Sequence, residues 1–287
     1  MAASQSHGHG QKHGRGQGHT RNPGHADASA PAAPITPPTV WPANDDWAGW
    51  ANTWEARMKA FFARRQQSID AILDLLAELL PDGPACILDV GAGTGSLAGP
   101  ILARFPQSAV VALDLDPVLM AIGRGALGDS GGRLTWRQVD LRADGWPSLL
   151  ADDQPFDAVV SIATLHHFSS RELGSIYSTL AGMIRPGGVL INAEGLAAGR
   201  ADSPLVQRFH EVRRRGMVPA DGWWEAISAN PALADAVAER ETLRGQMHGA
   251  GPRLSAEAHL RALRRAGFKD AAIGWRSFDE AAVVGLR

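Results

Sequence analysis

Ile87-Leu88-Asp89-Val90-Gly91-Ala92-Gly93-Thr94-Gly95-Ser96-Leu97 is the stretch from which the rest of this chain is read. Cys86 to Val90 is apolar except for Asp89, as a strand buried on both faces must be. Gly91, Gly93 and Gly95 follow at alternate positions. Lacking Cβ atoms, they reach left-handed backbone conformations and let a ligand lie against the main chain. A helical pattern then opens over 97–105, with Thr94 and Ser96 as candidate N-caps. Free N–H groups at such a helix start favour a negatively charged or carboxylate-bearing ligand.

Two kinds of site use a turn of this sort. The dinucleotide fingerprint G-x-G-x-x-G/A is met loosely by Gly93, Gly95 and Ala98. It leaves Asp89, just before the glycines, facing a pyrophosphate poorly. The spacing from Gly91 is instead G-x-G-x-G after an acid, which suits a cationic ligand such as the amino group and sulfonium of S-adenosylmethionine. In this form the stretch resembles the first motif of the class I S-adenosylmethionine-dependent methyltransferases. The resemblance implies that Asp89, Gly91, Gly93 and Gly95 hold the methionine end of that cofactor.

Later blocks match in order. Residues 108–113 read as a second strand ending in Asp114-Leu115-Asp116-Pro117. One carboxylate has two oxygens for a diol, so Asp114, beside Leu115, is a candidate for an adenosine ribose under either reading. Asp116, before Pro117, can cap the helix expected over 118–127. A third strand, 134–139, ends in Asp140-Leu141. The resemblance implies that Asp140 takes the exocyclic amine of adenine and the Leu141 N–H a ring nitrogen. The competing reading of Asp140 is a solvated loop acid.

Phe156-Asp157-Ala158-Val159-Val160-Ser161 is a fourth strand resembling the family's F-D-x-V-x-S/D block, which implies that Ser161 lines the floor of the site. His166 and His167 follow at the carboxyl end of that strand, where open α/β sheets place their ligands. Histidine titrates near neutral pH, so either is a candidate general base; either could equally be a packed imidazole. A helix over 171–184 leads through Ile184-Arg185-Pro186-Gly187-Gly188, a tight turn that is another family landmark, into a fifth strand over 189–194.

Residues 196–254 read as an inserted helical cap. Arg208, Arg213, Arg214 and Arg215 make it locally basic, either as a solvated face or as a site for an acidic small molecule. Trp223 and Trp224 are either an aromatic wall or anchors of the cap; His210 and His248 read as packed or exposed histidines. Ser255 caps a last helix, and two strands over 271–278 and 281–286 complete seven. The fold expected is α/β: a seven-stranded, Rossmann-like, mostly parallel sheet with helices on both faces, a cap after strand five, and the last strand antiparallel as in the family. The resemblance covers about 47–287.

Residues 41–82 precede this domain as two helices, one running from Trp54 to about Gln67 and a second to Leu80. Trp41, Trp47, Trp50 and Trp54 either pack them onto the sheet edge or make a lid, with Arg57 near the cofactor carboxylate. Residues 1–40 are rich in Gly, His, Ala and Pro and are expected to be disordered. His7, His9, His13, His19 and His25 lie there; such a tract can bind Zn²⁺ or Ni²⁺ loosely, but no defined metal site is expected.

The chain has 287 residues, 45% of them hydrophobic, which allows one large domain or one domain with a cap. A formal charge of −2 argues against a nucleic-acid or anionic-membrane partner. Cys86 is the single cysteine, a buried small hydrophobe by its position, so no internal disulfide can form; this fits a reducing cytoplasm. No secretory run follows Met1, and no apolar run is long enough to span a bilayer. The expectation is an S-adenosylmethionine-dependent methyltransferase acting on oxygen or nitrogen of a small molecule. The alternatives are an NAD(P)-dependent oxidoreductase and a non-catalytic binder of S-adenosylmethionine. Oligomeric state is not legible.

Overall fold

The structure is a computed structural model that describes residues 41–196, 203–215, 222–247 and 253–287. The tail with its five histidines lies outside these residues, as do His248 and the side chains of His210, Arg213, Arg214 and Arg215.

Seven strands form one sheet: β1 (Cys86–Val90), β2 (Ala109–Asp114), β3 (Leu134–Gln138), β4 (Phe156–Ile162), β5 (Ile184–Gly195), β6 (Asp270–Ser277) and β7 (Glu280–Leu286). Their order is β3-β2-β1-β4-β5-β7-β6, with β1 to β5 parallel and β7 antiparallel to both neighbours. The expected mostly parallel, seven-stranded sheet is what the chain forms. The order reverses beside β1, and at such a switch point the crevice outside the carboxyl ends of the strands is open to a ligand.

Side chains alternate along each strand, so β1 feeds both faces of the sheet. Leu88 and Val90 join Val159 and Leu190 against α5 (Ser170–Met183) and α9 (Ala256–Arg265). Ile87 joins Ala112 and Ile191 against α2 (Arg65–Leu79) and α3 (Ala98–Arg104). A third cluster, Trp50, Ile122, Trp223, Ile227 and Leu233, packs α1 (Trp47–Phe61), α4 (Pro117–Leu127) and α7 (Trp223–Ser228) together. Helices α6 (Pro204–Arg215), α7 and α8 (Ala234–Thr242) follow β5, as the cap expectation has it.

Several boundaries differ from the sequence reading. The first helix starts at Trp47, capped by Asp46, which accepts from the Gly49 N–H at 2.9 Å. It breaks at Phe62, where non-helical backbone lets α2 restart at Arg65. Neither Thr94 nor Ser96 caps α3: its N-cap is Leu97, without a side-chain bond, because the Ser96 hydroxyl is given to Glu55. Arg185-Pro186-Gly187-Gly188 is not a free turn but the bulged start of β5, across which the register with β4 shifts. Gly188 is needed there: a Cβ would sit 2.7 Å from the Asp157 carbonyl. Asp116 caps α4 through Val118 N–H (2.9 Å), and Ser169 caps α5 in a reciprocal box with Glu172.

Candidate functional site

A cavity of about 800 Å³ opens at the carboxyl ends of β1 to β5. Gly91, Gly93, Asp114, Leu115, Asp140, Leu141, His166, His167 and Arg57 are among its lining residues. With Gly195 of β5, five strand ends and the first helix therefore meet around one space. Asp89, Gly95 and Ser161 are buried and stand outside the lining. Ser161 in particular does not form the floor: its hydroxyl donates to the Val90 carbonyl at 2.8 Å and ties β4 to β1.

The three glycines have different tasks, although all have positive φ. A Cβ on Gly91 would lie 2.1 Å from Thr164 Oγ1, so Gly91 is small for the loop after β4. A Cβ on Gly95 would meet Leu127 at 2.5 Å, so Gly95 is small for α4. Around Gly93 the nearest atoms, on Trp54 and Leu119, are 3.7 and 3.9 Å away, and here the cavity reaches the backbone.

Asp89 is fully buried, and both carboxylate oxygens lack a hydrogen-bond partner among the described residues. The Ala98 N–H at the start of α3 draws its pKa down somewhat without reaching hydrogen-bond geometry. Burial, aided by the nearby Asp114 charge, pushes its pKa up to about 7. A buried carboxylate without a partner is costly, and a proton, a water or a ligand group would relieve it.

Asp114 is half-buried in the cavity wall, and burial pushes its pKa up to about 6. Its Oδ2 accepts from the Gly93 N–H at 2.7 Å and its Oδ1 from the Asp116 N–H at 2.8 Å. Each oxygen has a second lone pair for a hydroxyl. Asp140 accepts from the Arg142 N–H at 2.9 Å, which fixes the loop after β3. Arg142 then reaches the loop after β4: it bonds Glu172 (2.9 Å) and the His167 carbonyl (3.0 Å) and lies over the Phe168 ring.

His166 and His167 are not equivalent. His166 Nδ1 lies 2.8 Å from Oε2 of Glu194, a carboxylate with a nearly buried side chain at the end of β5. Oε1 of the same Glu194 accepts from the N–H groups of Thr164 (3.0 Å), Leu165 (2.6 Å) and His166 (3.2 Å). One carboxylate thus shapes the loop and orients the imidazole. An ionised carboxylate only accepts, so it selects the tautomer with the proton on Nδ1 and leaves Nε2 basic.

The first helix covers the glycine turn. Glu55 accepts from Ser96 and forms a two-pronged ion pair with Arg65 at 2.8 and 3.1 Å. Burial raises the Glu55 pKa, but Arg65 outweighs it, and the net direction is down. Trp54 stands over Gly93, and Arg57 lies over the rings of Trp54 and Phe61. The tryptophans therefore both pack and cover. Trp223 is buried and bonds Thr53 at 2.9 Å, holding α7 to α1; Trp224 faces the cavity with Arg240 stacked on it.

Glu194 and Glu55 escaped the sequence reading. Glu194 carries the same signal as Asp89 and Asp114, an acid closing an apolar strand. Glu55 carries none, since its partners Arg65 and Ser96 lie on other elements.

A family model described as a methyltransferase domain matches residues 87–188. An uncharacterized methyltransferase of Mycobacterium tuberculosis is 37% identical over 122 residues, 42% of this chain and 54% of that protein. A trans-aconitate 2-methyltransferase of Azoarcus sp. is 30% identical over 185 residues, 62% of this chain and 68% of that protein. The chain thus spans about half the length of the mycobacterial relative. Among solved structures, the S-adenosylmethionine-dependent methyltransferase SibL in its apo form superposes with a TM-score of 0.55 at 17% identity, over 84% of this chain and 61% of that one, a likeness of fold.

Proposed function

The chain belongs to the class I S-adenosylmethionine-dependent methyltransferases, and from that premise we propose that it methylates an oxygen or nitrogen of a small molecule with His166 as general base. The observation that carries this reading is the bond from His166 Nδ1 to buried Glu194, at the rim where β4 and β5 end. The dinucleotide reading of the glycine turn is given up with the family assignment.

The residues fit the family's cofactor. The unpartnered Asp89 suits its ammonium group, the open backbone at Gly93 its methionine end, Asp114 its ribose, Asp140 and Leu141 its adenine, and Arg57 its carboxylate. When bound, S-adenosylmethionine supplies a methyl group on a sulfonium, a leaving group good enough that alignment is most of the catalysis. The protein's remaining task is the acceptor's proton. His166 Nε2 would take that proton from the acceptor, and Glu194 would stabilise the imidazolium that results. The proton then leaves to water.

A small acceptor is supported by the cavity, which falls in the range of small-molecule sites, and by the net charge of −2. Cys86 adds no chemistry: burial pushes its thiol up to about 11, and it sits in the edge of the sheet core, in keeping with a reducing, cytoplasmic setting.

The test is transfer of labelled methyl from S-adenosylmethionine to a panel of phenols, amines and hydroxy acids, with His166→Ala and Glu194→Gln alongside. S-adenosylhomocysteine should bind both variants as it binds wild type. Turnover should fall by about 100-fold or more in His166→Ala. Turnover near the wild-type rate in that variant would remove the base. Binding of S-adenosylhomocysteine with no labelled acceptor anywhere in the panel would favour the non-catalytic binder.

A further inference from the structure

Arginines line the cavity on both sides, Arg142 and Arg240 beside its acids and Arg253 across from them. The acids that line it, Asp114, Asp116 and Asp140, sit at the ends of β2 and β3. The opposite side, beyond β4 and β5, carries Arg253. Arg253 differs from the other ion-paired arginines of the lining. Arg65, Arg142 and Arg240 hold their carboxylates at 2.8, 2.9 and 2.7 Å. Arg253 Nη1 stands 3.5 Å from Asp279 Oδ2, and two-fifths of its side chain is exposed. A charge-assisted bond of good geometry is shorter by about 0.6 Å or more. Its guanidinium fork can therefore turn to a second carboxylate at little cost.

The surroundings define what that carboxylate is attached to. A carbon placed as a Cβ on Gly195 would touch Arg253 Cζ and Phe62 Cε1, each at 3.5 Å. This is ordinary contact distance, so Arg253 and Phe62 close together over the end of β5 beside Gly195. Gly195 directly follows Glu194, the carboxylate that holds His166, and the Phe62 and His166 rings are 5.9 Å apart. His166 and Arg253 thus both neighbour Phe62 on the same cavity wall. The family's cofactor brings a positive charge into the same space, so an acceptor that brings a negative one relieves Arg253 and the cofactor together.

Resting on the methyl-transfer reading above, we propose that the acceptor is a compact aromatic hydroxy acid, its hydroxyl at His166 and its carboxylate on Arg253. Arg253, not the basic stretch of α6, is then the specificity residue; Arg208 of that stretch is exposed and pairs with Glu211.

The test is calorimetry on the full chain. S-adenosylhomocysteine is titrated first. Salicylate, 3-hydroxybenzoate and 4-hydroxybenzoate are then titrated into the loaded protein, each beside its amide. At least one acid should bind tenfold or more tighter than its amide. Arg253→Gln should erase that preference while leaving S-adenosylhomocysteine affinity intact. Equal binding of acids and amides, no binding of any acid, or a preference that survives Arg253→Gln would overturn the proposal. Should Arg253→Gln also lose S-adenosylhomocysteine, Arg253→Lys decides: an acid preference kept there sustains the proposal, and its loss overturns it. Failure of wild type in the first titration would instead overturn the cofactor reading, and the acceptor with it, before any acid is added.

Discussion

At the scale of single residues, Asp89 makes the sharpest prediction. Its folded pKa, about 7, means that below neutrality a cationic ligand must first expel a proton. Affinity for S-adenosylhomocysteine should therefore rise with pH from 5 to 7 and level off above it. Asp89→Asn should bind more weakly at pH 8 and show a shallower dependence, the remainder coming from Asp114 with its pKa of about 6; calorimetry across pH reads both. An unchanged pH profile in Asp89→Asn would place the titration elsewhere. The glycines separate in the same experiment. Gly91→Ala forces a methyl into Thr164 at a positive φ and should destabilise by about 2–4 kcal/mol in denaturant melts. Gly93→Ala meets no such clash; it should stay folded at a cost of about 1–2 kcal/mol and lose S-adenosylhomocysteine affinity instead.

At the scale of elements, the first helix is tied to the glycine turn by Glu55 and Ser96 and backed by Arg65, so cofactor binding and the order of this helix are coupled. S-adenosylhomocysteine should slow amide hydrogen exchange across residues 50–60, and Glu55→Gln should reduce that protection. Exchange in this helix that ignores ligand would make it a packing element only. On the other face, Tyr177 of α5 bonds His259 of α9 at 2.9 Å and Asn192 of β5 at 3.1 Å, all three buried. Burial lowers the His259 pKa, so the imidazole is held neutral. Tyr177→Phe leaves two buried polar groups short of a partner and should cost about 1–3 kcal/mol in equilibrium unfolding.

For the whole molecule, the site works against the fold. Asp89 and Asp114 both have folded pKa values raised from 3.8, to about 7 and about 6. Between about pH 4 and pH 7 these two groups bind more protons folded than unfolded and lower stability as pH rises, an effect that buried His259, with its pKa lowered, partly opposes. Each unit is worth up to about 1.4 kcal/mol per group, which makes the effect several kcal/mol at most. Thermal melts of the ligand-free chain should show a lower midpoint at pH 8 than at pH 5.5, with a smaller difference in Asp89→Asn. S-adenosylhomocysteine should raise the midpoint more at pH 8 than at pH 5.5. A ligand-free midpoint that climbs between these two pH values would contradict the buried, unpaired state of Asp89.

Local sequence determined the sheet and which strand ends carry acids beside the cavity. Parallel strands buried on both faces must be apolar runs, and a glycine turn or a closing acid after each is a short-range signal. Asp89, Asp114 and Asp140 are legible for that reason, and so are all seven strands. The limits of helices and loops were less so. Ser96 looks like a cap until Glu55 arrives from another helix, and Arg185 to Gly188 look like a turn until β4 pairs alongside. Ser161 reads as a floor residue until β1 proves to be its partner. Only the tertiary structure distinguished His166 from His167, because the carboxylate that orients one of them ends a different strand 28 positions away. It also brought Arg253 beside Phe62 and Gly195, with its ion pair to Asp279 at 3.5 Å. Strand and turn are set by neighbours in sequence; the acceptor side of the site is made of residues that meet only when the sheet brings the ends of β4 and β5 together beneath the first helix.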